Sequence, residues 1–376
     1  MLTTDETFCN ARTNGYLLKV TCFFWLLAKL IGWRLFTLYR TFPTAPVFDG
    51  LDRVPAAVHT GLYLVSLALL AVLLAAKKSR VILCCLLLTE ICSCLLDQNR
   101  LRASEYQWLF IVVIFILNAR NQKLVTVAFA FILASTYFYS GLGKLNPGFL
   151  QSVWTRMALE MFLKLRPSTA SLTWLHYSGY ALGCIELLAG AGLLFPFSRK
   201  ISAIVLIAMH VLILIWLGPL GLRYNRIVWP WNLAMMGYLY FLFLKKDAPV
   251  IQFGDITTGW NKVILIFWGI LPALNIFGLW DSYLSSGMYS GNMPGMVICV
   301  KDTSKCRPIG KFCRKDNGNV CNGGGLINLQ YWANSEMGAS AYPELRVYRK
   351  FQRQLEKEYP AAGISCIYYE GGRRMP

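Results

Sequence analysis

Charge is scarce in this chain. Asp, Glu, Lys and Arg make up only 15% of its 376 residues, whereas hydrophobic residues make up 56%. A soluble domain of that length cannot bury so much apolar surface, which excludes a soluble globular protein and leaves most of the chain to face lipid. No C-x-x-C pair occurs, which argues against a thioredoxin-like redox pair. The cysteines near the C-terminus are separated by six and seven residues, a poor fit to zinc, so no metal is predicted. A basic–aromatic nucleic-acid motif is also missing. The net charge of +18 is scattered through loops and suits anionic lipid headgroups. No cleavable signal peptide is expected, because the first apolar stretch is too long and too basic and lacks small residues for cleavage. A permease should show broken helices in two matching halves; the single clear break, at Lys144 to Gly148, ranks transport below binding.

Apolar runs at 17–36, 57–76, 81–96, 106–119, 124–142, 174–196, 201–219, 229–244 and 260–280 predict nine membrane spans. The first is interrupted by Lys19, Lys29 and Arg34, so an interfacial amphipathic helix is its alternative. The fold class expected is an all-α polytopic membrane bundle over 1–280 with a small α+β extramembrane cap over 281–376. Basic turns at Lys77–Arg80, Arg120–Lys123, Arg199–Lys200 and Lys245–Lys246 all follow even-numbered spans. Short basic turns stay cytoplasmic. The expected orientation is therefore a cytoplasmic N-terminus and an extracytoplasmic C-terminus, in a bacterial inner membrane.

Polar residues inside spans are costly unless they face a partner or a cavity. Glu90, Glu186 and His210 lie mid-span, and His59 lies near the start of the second. They could fasten the bundle by pairing with one another or with Lys19 and Lys29. Alternatively they line a cavity, a reading favoured more for Glu186 and His210 than for Glu90 and His59. Glu186 lies eleven positions before Phe197 and His210 ten beyond Lys200. At about 1.5 Å per residue both reach roughly 15 Å, near the bilayer midplane.

Lys144 ends the fifth span at Asn146-Pro-Gly148, residues that stop a helix. An amine held at such a boundary is either a snorkelling anchor or a base. Residues 145–173 are too polar to span, and a re-entrant or surface helix from Gln151 to Leu165 is expected over this site. The loop Leu222–Asn232 carries Trp229 and Trp231 around Pro230. It reads as an interfacial aromatic belt, or as a rim where a flat ring stacks and Arg223, Arg226 and Asn232 offer hydrogen bonds. Asp97, Gln98 and Asn99 reach the same face as Lys144 by parity.

From about Trp280 the chain turns polar and holds Cys299, Cys306, Cys313, Cys321 and Cys366. Met296–Val300 and Gly363–Tyr369 read as strands, and 342–358 as an amphipathic helix. So thin a core benefits from cross-links. At least one disulfide is expected, with Cys306, Cys313 and Cys321 the first candidates.

The run Ser140-Gly-Leu-Gly-Lys-Leu-Asn-Pro-Gly-Phe149 resembles the Gly-x-Lys-Lys-Leu-Asp segment of vitamin K-dependent gamma-carboxylases, members of the horizontally transferred transmembrane domain superfamily. Leu95–Tyr106 resembles that family's Leu-Leu-Asp loop, Ala208–His210 falls on a helix carrying Phe-His, and Leu271–Tyr289 resembles the segment closing the membrane domain. The resemblance implies a quinone-dependent enzyme of unknown substrate. Lys144 would be its base, acting on a reduced quinone of the vitamin K type, with Glu186 and His210 beside it. Asp97, Asn99, Arg226, Trp229 and Asn232 would hold the cofactor. Two departures stand out: the family's loop histidine falls on Ser104, and its large lumenal domain is replaced by a cap of about a hundred residues. The alternative is a non-catalytic lipid- or quinone-binding membrane protein. Besides membrane lipids, the only partner implied is that quinone.

The orientation is testable. Alkaline phosphatase fused after Tyr369 should be active in the periplasm of a bacterial host. An inactive fusion there, with an active one after Lys246, would reverse it.

Overall fold

The computed structural model describes residues 4–76, 79–165, 173–316, 319–370 and 373–375; the predicted basic pair Lys77–Lys78 lies outside them. Ten helices build a bundle: α1 (Thr4–Ile31), α2 (Ala56–Ala75), α3 (Arg80–Leu96), α4 (Ala103–Leu117), α5 (Gln122–Leu142), α6 (Phe149–Phe162), α7 (Gly179–Gly192), α8 (Arg199–Leu217), α9 (Val228–Leu244) and α10 (Asn261–Phe277). Each of the nine apolar runs coincides with one of these, and α6 is the helix expected between Gln151 and Leu165. By length and composition, four are fit to cross a membrane: Cys9–Ile31 within α1, then α2, α5 and α8. The others fall short of a full crossing on that measure. In α6 the hydrogen bonds run i to i+5, a wider turn than the α-helix.

The first helix is central. α1 packs against α2, α4, α5 and α9. Its Lys29, which weakened the sequence reading of this segment, is buried: the ammonium bonds Glu90 Oε2 at 2.8 Å and lies 3.8 Å from Glu105 Oε1. Trp25 Nε1 donates to both oxygens of Glu105 at 3.1 and 3.0 Å, and Glu90 also accepts from Ser66. His59 accepts at Nδ1 from Arg100 at 2.7 Å. Glu90 and His59 therefore fasten the bundle. Breaking one partner of such a buried pair costs about 3–5 kcal/mol.

The cap is a five-stranded antiparallel sheet of β1 (Gly295–Val300), β2 (Arg314–Lys315), β3 (Gly325–Asn328), β4 (Ile364–Glu370) and β5 (Arg373–Arg374), in the order β2-β3-β1-β4-β5. Two helices accompany it, α11 (Leu329–Met337) and α12 (Leu345–Glu358). α12 buries Val347, Tyr348, Phe351 and Leu355, a stripe at helical spacing. The cap sits on the loops that follow the first, third and seventh apolar segments. Glu336 accepts from Thr41 N, Thr41 Oγ1 and Phe42 N at 2.7–2.8 Å. Arg102 Nη1 donates to Ser340 O at 3.2 Å, and Lys350 Nζ to Pro46 O at 2.8 Å.

Among the described residues one disulfide is present, and it differs from the first candidates. Cys299 of β1 bonds Cys321, while Cys306 and Cys313 are free thiols, as is Cys366. The register explains the choice: Cys299 lies opposite Leu326, so the turn entering β3 delivers Cys321 to it. Closing a loop of this size contributes about 3 kcal/mol. Non-reducing peptide mapping should find the Cys299–Cys321 link and alkylated Cys306, Cys313 and Cys366. A link within the latter three would overturn this pairing.

Candidate functional site

A glycine seam creates the site. Helix α7 carries Gly179-x-x-x-Gly183 and Gly190, and α5 ends in Gly141. A Cβ on Gly141 would sit 2.3 Å from Leu187 N, and one on Gly190 would sit 2.5 Å from Phe138 N. Only glycine lets the two backbones come so close. That approach sets Lys144, one turn beyond Gly141, beside Glu186, one turn beyond Gly183. Lys144 Nζ is hydrogen-bonded to the Glu186 carboxylate and donates to Ser140 Oγ at 2.7 Å and Ser140 O at 3.4 Å. Three acceptors meet the three protons of an ammonium. The side chains are 15% and 6% exposed, so water screens the pair little.

A second chain of bonds faces the same space. Asn232 Nδ2 donates to Val228 O at 2.8 Å, which turns its Oδ1 to His210 Nδ1 at 2.7 Å. Nδ1 therefore carries the proton, and Nε2 accepts from the Tyr137 hydroxyl at 2.7 Å. Gln107 supports the rear wall. Its Oε1 accepts from Trp231 Nε1 at 2.6 Å, and its Nε2 donates to Thr136 Oγ1 at 3.3 Å.

Between the two chains lies a cavity of about 350 Å³. Lys144, Glu186, His210 and Asn232 all line it, with Tyr137 and Ser140. Apart from Thr136 and Ser286, apolar and aromatic side chains make up the rest, including Trp154 and Trp216. Helix α6 closes it with Phe149, Val153, Trp154, Ala158 and Phe162. This helix is held by Trp154 Nε1, which donates to Leu175 O at 2.8 Å, and by Thr155 Oγ1, 2.6 Å from His176 Nδ1.

Four residues expected to hold a cofactor lie elsewhere. Asp97 caps the turn after α3: it bonds Arg40 and accepts from Ala45 N at 3.1 Å and Asn99 Nδ2 at 2.8 Å. Burial works against its ionised form, but Arg40 and Arg100 outweigh that and hold its carboxyl below the usual range. Asn99 Oδ1 accepts from Tyr342 N at 3.1 Å, so it docks the cap. Trp229 Nε1 donates to Leu217 O at 3.0 Å and Tyr224 O at 3.2 Å, closing the loop before α9. Arg226 is exposed. Asp97 and Trp229 thus tie loops of the bundle together, and Asn99 joins the bundle to the cap. Sequence reading missed Tyr137 and Ser140; they sit two turns and one turn before Lys144, at the end of the helix that Lys144 follows, a spacing that marked them as neighbours.

Searches against family models, curated proteins and solved structures return no match.

The seam is open to test by substitution. Gly141→Ala should cost about 1–3 kcal/mol in thermal unfolding, the range for overpacking. Gly15→Ala, where a Cβ meets nothing within 4 Å, should be neutral or stabilise by up to about 1 kcal/mol. Equal effects at both positions would remove the seam from the argument.

Proposed function

We propose that this chain is an integral membrane protein of nine spans, distantly related to the vitamin K-dependent gamma-carboxylases, and that its cavity carries acid–base chemistry on a lipid-soluble molecule, a reduced quinone. The cytoplasmic ends of the spans bear the basic turns, and the cap lies outside. One observation carries this reading: an ion pair and a tyrosine–histidine–asparagine relay face each other across one apolar, aromatic-walled cavity. Buried polar groups converging on an apolar pocket mark a binding site more often than a structural brace.

The residues present fit a flat ring. Trp154, Trp216 and Trp231 supply faces for stacking, and the volume falls within the range of small-molecule sites. When bound, a reduced quinone supplies electrons and an acidic hydroxyl. Lys144, with Ser140, meets that hydroxyl. For Lys144 to take its proton, the ammonium would first pass one to Glu186, to which it is already hydrogen-bonded. Tyr137, whose proton is engaged by His210, offers the ring its oxygen as an acceptor, and Asn232 fixes the tautomer that makes this possible. Opposite ends of a ring are thus recognised by opposite walls.

Protein purified in mild detergent should carry quinone or hydroquinone detectable by mass spectrometry. Lys144→Ala should lower the bound amount about tenfold or more, as loss of a charge-assisted hydrogen bond of about 1.5–3 kcal/mol implies, and His210→Ala, which frees the Tyr137 hydroxyl it orients, should lower it severalfold, as loss of a neutral bond of about 1 kcal/mol implies. Bulk lipid alone, in equal proportion in all three preparations, would refute the reading.

A further inference from the structure

A second chamber of about 350 Å³ lies between the cap and the bundle. It differs in character from the first. Tyr224, Tyr283, Tyr369, Asn328, Gln330 and Ser340 contribute phenol, amide and hydroxyl groups to its wall, and methionines fill much of the remainder. Among the described residues no Asp, Glu, Lys, Arg or His lines it. Asn328 and Ser152 at its edge are exposed, so it is reached from the side of the cap.

The two chambers share walls. Val153, Met288 and Tyr289 line both. Tyr289 sits at φ 62° and Ser286 at φ 56°, a left-handed backbone that non-glycine residues adopt at a cost. The Tyr289 hydroxyl is held by Asn225 Nδ2 at 2.8 Å. Asn225 is in turn fixed by Arg102 Nη2, which donates to its Oδ1 at 2.7 Å. The partition is thus one ring, fixed from the cap side by a buried guanidinium, backed by two flexible or small apolar side chains.

We propose that this chamber binds an uncharged, hydrogen-bonding small organic molecule, delivered from the cap side to the other face of the Tyr289 partition. Size, lining and position support this. The volume is that of a small-molecule site rather than of a few waters. A charged ligand would enter without a counter-ion and lose its hydration unrepaid, whereas a neutral one exchanges water for hydroxyl and amide partners. Tyrosine faces stack on flat or C–H-bearing surfaces, and methionines adapt to irregular ones. The chamber is distinct from the Lys144 cavity, and its occupancy does not depend on the quinone reading.

The test introduces single cysteines into the full chain in lipid nanodiscs, at Met293→Cys and Val297→Cys in the chamber and Asn328→Cys at its edge. Three methanethiosulfonates serve as probes: neutral hydroxyethyl, cationic trimethylammonioethyl and anionic sulfonatoethyl. Peptide mass mapping reads the introduced cysteine apart from the native thiols, and rates are normalised to free cysteine. Inside the chamber the neutral probe should react at least about tenfold faster than either charged one, with a rate that saturates as its concentration rises. At Asn328→Cys the three should be alike. Equal rates for all probes inside, a strictly linear dependence on the neutral one, or no reaction inside at all would each overturn the proposal. Two interior positions keep the test alive if one variant fails to fold.

Discussion

Contact between the backbones of α5 and α7 decides where chemistry can happen in this molecule. With side chains at Gly141, Gly183 and Gly190 the helices would stand apart by a side-chain diameter, and Lys144 could reach only headgroups or water. With glycine there, the two chains touch, and Lys144 meets Glu186 across the gap. In lipid no hydrophobic force drives helices together, so such small-residue contacts must do it through close packing and interhelical hydrogen bonds. The cavity is what remains beyond the seam, where α6 arches over and α8 and α9 stand back.

The cap exerts a second constraint on the same end of the bundle. Its Glu336 collects three donors from the loop after α1, and its Tyr342 backbone is received by Asn99. Asp281 accepts from the Tyr342 hydroxyl at 2.7 Å and pairs with Arg346. Each of these is a loop group that would otherwise face water. The cap thereby turns flexible connections into a rigid rim, and the turn from Ser286 to Gly291 into a wall with a strained tyrosine.

Much of this was legible beforehand, and the rest depended on contacts between segments distant in the chain. Apolar runs located the helices because burial in lipid demands continuous hydrophobicity. The tight turn Phe197–Lys200 placed Glu186 and His210 at one depth because antiparallel neighbours joined by a short turn have no other option. Whether Lys144 joined them depended on α5 packing beside α7. Gly183 and Gly190 held that signal, since a spacing of seven puts two glycines on one helix face, here the face that meets α5. That Asp97, Asn99, Arg226 and Trp229 stand outside the Lys144 cavity was hidden for another reason. Parity along the chain shows which end of the bundle a residue reaches, not which neighbouring loop or cap group will occupy its hydrogen bonds. The cysteine pairing escaped likewise, because it depends on strand register rather than spacing.

Two buried lysine–carboxylate clusters allow a direct comparison. Lys29 meets Glu90 and Glu105 with every neighbour in place: Ser66 and Trp25 satisfy the carboxylates, and the Phe36 ring lies 3.8 Å from the ammonium. Side-chain exposure there is 1% for Lys29 and Glu90, and α1, α2, α3 and α4 close around it. Neither of the two cavities described above reaches it, and its groups are spent on holding helices together. Lys144 and Glu186 are built from the same groups but border a cavity, as do Tyr137 and His210 across from them. Burial and ion pairing are common to both clusters; available space is not. A polar group in a membrane bundle therefore points to function only when the packing around it leaves somewhere for a substrate to stand.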